Sequence, residues 1–306
     1  VNAPPPSPGA GAPPPASCDL YRVDRDALFC YHKAAEAFLH RLVSIYVASH
    51  YKNSPNDLQL LADAPAHRLF VLLAPSPPNA TALPEVLCVV QLSVRDAVGR
   101  GRKAAGDLIP WNVCEQYGDK DFPKLSGARV VRIATHPSYQ RMGYGKRALQ
   151  QLAAYYGGDV FHTISLYTFF SFPRSKPPTL LKRLTEVRAE HLDYIGTSFG
   201  LTQELLKFWK SQKYVQKPND LTGEHSCILI RALQPGSWLS AYSADFKRRF
   251  SRLLGRSLRS LPAALALAML VNDNVHVERP GKSCLVIVFL VLFVFYFTGK
   301  QTVLNH

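Results

Sequence analysis

No Cys-x-x-Cys pair occurs in these 306 residues, and none of the six cysteines (Cys18, Cys30, Cys88, Cys114, Cys227, Cys284) stands with a histidine at zinc-ligand spacing. No metal site is therefore expected. A disulfide scaffold is out of place in a chain this long, so a reducing compartment is the default. There is no G-x-x-x-x-G-K-[ST], and P-loop ATP hydrolysis is not expected of this chain. Acidic residues are scarce: 22 Asp+Glu stand against 36 Lys+Arg, a formal charge of +14. That excess favours a polyanionic partner, whether nucleic acid, an anionic membrane face or a phosphorylated cofactor. The uncharged apolar run at 284–297 is shorter than the roughly 20 residues a spanning helix needs. A membrane anchor is not favoured, and residues 276–306 are expected to be an atypical tail from a mistranslated intron or a shifted reading frame. The chain opens on Val1 with no signal peptide ahead of the folded region, so it is expected to be a fragment.

With 47% hydrophobic residues there is ample material for a core. Residues 1–18 are mostly Pro, Ala, Gly and Ser, a composition expected to stay disordered. Residues 31–51 read as an amphipathic helix, with Ala35, Phe38, Leu42 and Tyr46 at helical spacing. Ser54, Pro55 and Asp57 then start a second helix. Leu- and Val-rich strands are expected at 67–74 and 85–94, a buried strand at 128–135 and a helix at 145–156. A strand at 191–199, a helix at 202–213 capped by Thr202 and a last strand at 226–232 follow. This order is mixed α/β. From residue 234 to 275 the chain becomes basic and helical, Lys247, Arg248, Arg249, Arg252, Arg256 and Arg259 alternating with apolar residues. Such a face is either simply solvated or a phosphate-contacting surface.

The stretch at 129–146 carries the chemistry. An apolar strand runs into Gln140-Arg141-Met142-Gly143-Tyr144-Gly145 and then into a helix beginning near Lys146. Glycines let a backbone approach a diphosphate closely, successive amides converge on it, and the helix dipole adds positive potential. A dinucleotide fold would want a third glycine at 148, where alanine stands, and an acidic residue after a second strand. Asp159 is near that distance without a convincing strand before it, although spacing alone leaves that reading open.

The strand and the Gln/Arg-x-x-Gly-x-Gly spacing resemble the acetyl-CoA loop of the GNAT superfamily. Further segments resemble the eukaryotic RNA cytidine acetyltransferases: Phe29-Cys-Tyr-His-Lys33, the run from Val47 to Asp57, Gly106-Asp-Leu-Ile-Pro-Trp111, Leu192-Asp-Tyr-Ile-Gly196, Leu205-Leu-Lys-Phe-Trp-Lys210 and the run from Pro218 to Ser226. The resemblance implies a GNAT-like mixed sheet flanked by helices over 19–233, with a basic RNA-binding helical extension at 234–275. It implies transfer of acetyl from acetyl-CoA to the N4 amine of cytidine in small-subunit rRNA and tRNA. Acetyl-CoA contacts carry over to Ile133, Ala134, Thr135, Gln140, Arg141, Met142, Gly143, Tyr144, Gly145 and Lys146, and the catalytic base to His50.

A base suits the chemistry, because the cytosine amine is delocalised into its ring and gains acidity as it attacks a thioester. Strand amides near Ile133–Thr135 are placed to stabilise the thioester oxyanion. His136 and His225 are less favoured bases. Candidate RNA contacts are Arg100, Arg102, Lys103, Lys247, Arg248, Arg249 and Arg252, with Trp111 as a stacking surface or part of the core. By the same resemblance, rRNA, tRNA, a tRNA adaptor protein, small nucleolar RNA guides and a second copy of the chain are expected partners, and the nucleolus the expected location. The longer family proteins also use ATP, whose site is absent here. The chain departs from the family at Ser211, where an arginine contacts the cofactor, at 157–178, and by a gap near Tyr214. Two other readings stand beside this one: a protein N-acetyltransferase of the same fold, and an inactive RNA-binding module.

Overall fold

The structure, a computed structural model, describes residues 11–49, 55–75, 85–95, 108–159, 179–211, 226–233, 238–270 and 287–289. Strands β1 (Asp19–Val23), β2 (His67–Leu73), β3 (Val86–Arg95) and β4 (Gly127–Thr135) form an antiparallel meander, with β5 (Leu181–Arg183) on the outer edge of β1. β4 pairs in parallel with β6 (Tyr194–Gly200), which carries β7 (Ser226–Ala232) and a three-residue β8 (Ile287–Phe289), both antiparallel. The order is β5-β1-β2-β3-β4-β6-β7-β8. A parallel pair needs a crossover, and α5 (Tyr144–Gly157) lies within it.

Alternation along the strands sorts side chains to two faces. On β2, Phe70 and Leu72 join the cluster under α5, whose Ala148, Leu149, Leu152 and Tyr155 are buried at helical spacing. Leu69, Val71 and Leu73 point to the opposite face and meet α2 (Lys33–Ser49). Phe38 and Leu42 of α2 are fully buried there, and truncating Phe38 to alanine would cost about 3–5 kcal/mol. The short α1 (Arg25–Leu28) and α3 (Pro55–Asp63) add Leu28 and Leu61 to this layer. Further along the same face, α4 (Leu108–Tyr117) covers β6 and β7, with Ile109 and Val113 against Tyr194, Ile228 and Ile230. The α5 layer is extended by α6 (Gln203–Ser211), α7 (Trp238–Leu254) and α8 (Ala263–Leu270) through Leu206, Trp209, Phe246, Phe250 and Met269.

The structure departs from the sequence reading in several places. The expected helix at 31–51 begins only at Lys33, because Tyr31 takes a left-handed φ of 59°. β1, β5 and α4 were not expected from periodicity. Part of the expected disordered leader is ordered: Pro15–Ser17 form a 3-10 turn and Cys18 is buried. Its backbone carbonyls are taken up by polar side chains of α5, so hydrogen bonds hold what apolar bulk would not. Of the apolar run at 284–297, the described residues are the three of β8, and among the described residues no helix is long and apolar enough to cross a membrane.

Candidate active site

The site is built where β4 parts from β6. The two strands pair only from Gly127–Val130 to Tyr194–Thr197, although both run on to Thr135 and Gly200. A bulge explains the parting. Gln91 of β3 faces Arg132 and Leu92 faces Val130, which leaves Val131 as an extra residue in β4. A bulge bends its strand and sharpens the local twist. Beyond the fork, whose base Thr197 closes with a hydroxyl donated to the Val130 carbonyl (3.4 Å), β4 presents a main-chain edge unpaired with β6. Such an edge can take up an extended amide-bearing chain as an added strand. Ile133, Ala134 and Thr135 all lie beyond the fork. Ala134 sends its methyl into the α2 layer, while Ile133 packs toward α5.

After β4 the chain turns through a 3-10 helix, Pro137–Tyr139, capped by His136, whose Nδ1 accepts from the Ser138 amide (3.3 Å). His136 is buried in this structural role. Tyr139 donates to Glu85 (2.9 Å), and burial followed by that carboxylate pushes its hydroxyl up to about 12. Gln140, Arg141, Met142 and Gly143 then form an exposed loop, with φ of 65° at Arg141 and 94° at Gly143. Gly143 is the N-cap of α5, and the first helical bond runs from the Arg147 amide to its carbonyl (2.9 Å). The amides of Tyr144, Gly145 and Lys146 therefore have no acceptor within the helix, and the dipole adds to their pull on an anion.

Gly145 is closely packed. A Cβ there would lie 3.4 Å from the Phe208 ring of α6 and 3.4 Å from the Thr135 hydroxyl. The missing side chain leaves room for the end of β4, α5 and α6 to approach one another here. Lys146 is exposed beside it, and Arg141 faces Glu204 at 4.0 Å, a solvent-exposed pair that contributes little by itself. Tyr144 offers the loop only its amide, because its ring is buried in the core.

A second element reaches the same spot. Ser49, the last residue of α2, donates to the Thr135 carbonyl (3.4 Å), and the Thr135 hydroxyl donates to Cys88 Sγ (3.7 Å). Burial pushes the Cys88 thiol up to about 12, which suits a packing residue and not a nucleophile. The sequence reading missed Ser49, Cys88 and Phe208. Two had a signal, since Ser49 adjoins His50 in its motif and Phe208 lies in the Leu205–Lys210 segment, but Cys88 is one residue of an apolar run until the chain is folded. His50, His225, Arg100, Arg102 and Lys103 lie outside the described residues.

The basic helix divides by role. Arg249 donates to the Gln116 carbonyl (2.7 Å), pairs with Asp245 (2.6 Å) and lies over the Tyr117 ring at 4.9 Å. Tyr242 donates to Asp119 alongside. Arg249 thus joins α7 to α4 while its side chain stays 42% exposed. Arg248, Arg252, Arg256 and Arg259 are exposed, Arg248 with an ion pair to Asp245 (2.5 Å), and Lys247 is half-buried. Trp111 is partly exposed on α4.

A mixed sheet forked at its parallel pair, with a glycine-bearing amide cradle at the adjoining helix, defines a GNAT-type acetyltransferase fold. Sequence comparison agrees: the family described as GNAT acetyltransferase 2 matches residues 41–168 and 162–234, and the one described as "Possible tRNA binding domain" matches 238–283. The RNA cytidine acetyltransferase of Drosophila melanogaster is 54% identical over 89% of this chain, and that of Mus musculus 52% over 87%. In each case the chain spans 30% of the relative's length. The Achlya ambisexualis RNA cytidine acetyltransferase is 46% identical over 80% of this chain and 77% of its own. The chain belongs to the RNA cytidine acetyltransferase family.

Proposed function

We propose that this chain carries the module that moves an acetyl group from acetyl-CoA to the N4 amine of cytidine in RNA. One observation carries the reading: the edge of β4 left unpaired with β6 and the amide cradle of α5 adjoin at the same fork. The amides at 144–146, with Lys146 and Arg141, would hold the diphosphate, and the edge at Ile133–Thr135 would hold the amide-bearing arm. Bound there, acetyl-CoA supplies the activated acetyl thioester. The N4 nitrogen bonds to the thioester carbon as the carbon–sulfur bond breaks; N4 gives up one proton and the departing sulfur gains one. His50 is the proposed acceptor of the N4 proton, since imidazole titrates in the working range. Support for it comes from Ser49, which ties the end of α2 to Thr135 at the fork.

RNA would be held by the region matched by the possible tRNA-binding family, through Lys247, Arg248 and Arg252, and by Arg100, Arg102 and Lys103. Small-subunit rRNA and tRNA as substrates, an adaptor protein or guide RNA to select the cytidine, a homodimer and a nucleolar location belong to the same proposal. The test is incubation with labelled acetyl-CoA and either cytidine-containing RNA or histone-like peptides. Label is expected in cytidine; label in peptide and none in RNA would overturn the reading.

A further inference from the structure

Residues 13–20 contain little apolar bulk, yet they lie tied along one side of α5. Tyr144 Oη donates to the Pro13 carbonyl (2.6 Å), and Arg147 donates to the carbonyls of Ala16 (3.2 Å) and Cys18 (3.3 Å). Gln151 Nε2 donates to the Cys18 carbonyl (3.0 Å) while its Oε1 accepts from the Leu20 amide (2.6 Å). Positions 144, 147 and 151 fall on one helix face, so the three side chains form a row of ties. Within the segment, the Ser17 and Cys18 amides close a turn on Pro14 and Pro15. The Cys18 side chain is sealed beneath it. The row ends at the phosphate loop: a Cβ at Gly143 would lie 3.7 Å from Pro15 Cγ.

We propose that Tyr144, Arg147 and Gln151 are positioning residues for coenzyme A, docking residues 13–20 as a strap whose Pro15 ring braces the Gly143 turn. The inference rests on the reading of residues 140–146 as the diphosphate cradle. The loop enters the helix through two left-handed residues, Arg141 and Gly143. Glycine especially leaves such a turn free to move, and the amides behind it converge on an anion only while the turn holds its shape. A ring packed on Gly143 restricts it. If a docked strap favours the bound ligand, the bound ligand must favour the docked strap by the same factor.

Two measurements on the whole chain test this. One is coenzyme A affinity by calorimetry; the other is the rate of Cys18 labelling by N-ethylmaleimide, resolved peptide by peptide. Saturating coenzyme A is expected to slow Cys18 labelling several-fold and leave the exposed Cys30 unchanged. Gln151→Leu, whose ties lie two turns from the cradle, is expected to speed Cys18 labelling and raise the Kd for coenzyme A several-fold, with the melting curve still cooperative. Tyr144→Phe, which removes one hydroxyl and keeps the buried ring, should move both readouts the same way. Coenzyme A that binds tightly without protecting Cys18, or variants that loosen the strap at constant Kd, would overturn the strap and leave the cradle standing. A wild-type chain that does not bind coenzyme A would overturn both.

Discussion

Single positions decide whether the cradle can work, and Gly145 is the sharpest case. A Cβ there would already stand in van der Waals contact with Phe208 and Thr135, 3.4 Å from each. Gly145→Glu adds bulk and a negative charge at an anion site, so coenzyme A affinity should fall at least tenfold, about 1.4 kcal/mol. Calorimetry on a variant with an unchanged circular dichroism spectrum checks it, and unaltered affinity would remove the cradle from the mechanism. Glu190 shows a different residue-scale effect. It accepts from Arg68 (2.8 Å) and pairs with Arg22 (3.3 Å), linking the end of its segment to β2 and β1. Burial alone would raise its carboxyl, but the hydrogen bond from Arg68 and the charge of Arg22 outweigh it and hold the group below the ordinary 4.5. A carboxyl depressed in the fold stabilises fully above its unfolded value and loses that contribution as pH falls through the folded one. The stability gap between wild type and Glu190→Gln should therefore be widest above about pH 5 and shrink as acid is added. Urea melts at pH 7, 5, 4 and 3 would show it, and a gap independent of pH would refute the ion-pair account.

Elements were legible in the sequence where one periodicity spoke alone. β2, β3 and α2 carry clean runs of Leu, Val and Phe, and each falls within a few residues of expectation. Thr202 caps α6 as its position suggested, accepting from the Leu205 amide (3.2 Å). β1 was hidden because Asp19, Tyr21 and Arg22 break its apolar pattern, and it becomes a strand only by lying between β2 and β5. β5 has three residues and no pattern of its own. α4 contains Pro110, which reads as a breaker but sits in the first turn, where no helical amide is needed. The fork escaped the sequence reading: Val131 between Val130 and Arg132 is identified as a bulge only by the register against β3. The basic helix shows the same limit, since charge spacing cannot tell a strut from a ligand. Arg249→Ala should lower the melting temperature by an amount equal to roughly 1 kcal/mol, through loss of the Gln116 bond and the Tyr117 contact. Arg252→Ala, exposed on the next turn, should leave melting unchanged. Equal effects from the two would contradict this division.

At the scale of the whole molecule, the cradle and the basic extension are joined mechanically. α6 presents Phe208 to the Gly145 backbone, and its Lys210 donates to the Ala268 carbonyl of α8. One helix thus touches the proposed cofactor site at one side chain and the proposed RNA-holding region at another. The formal charge of +14 need not act evenly across such a body. Arg22, Arg68 and Lys182 are committed to Glu190 and Asp24, and Arg132 to Asp57. By contrast Arg252, Arg256 and Arg259 stand exposed to solvent on and just after α7, as does Arg248 beside its surface pair with Asp245. If those four each displace a counterion from single-stranded RNA, the logarithm of affinity should fall with the logarithm of salt at a slope of about −3. Arg252→Ala should make that slope shallower by about 0.7 and weaken binding alike for every sequence tested, because a phosphate contact carries no base information. Fluorescence anisotropy across a salt series reads both numbers. A slope near zero would place RNA recognition elsewhere on the molecule, whereas a slope unmoved by Arg252→Ala would keep the electrostatic footprint and take this helix out of it.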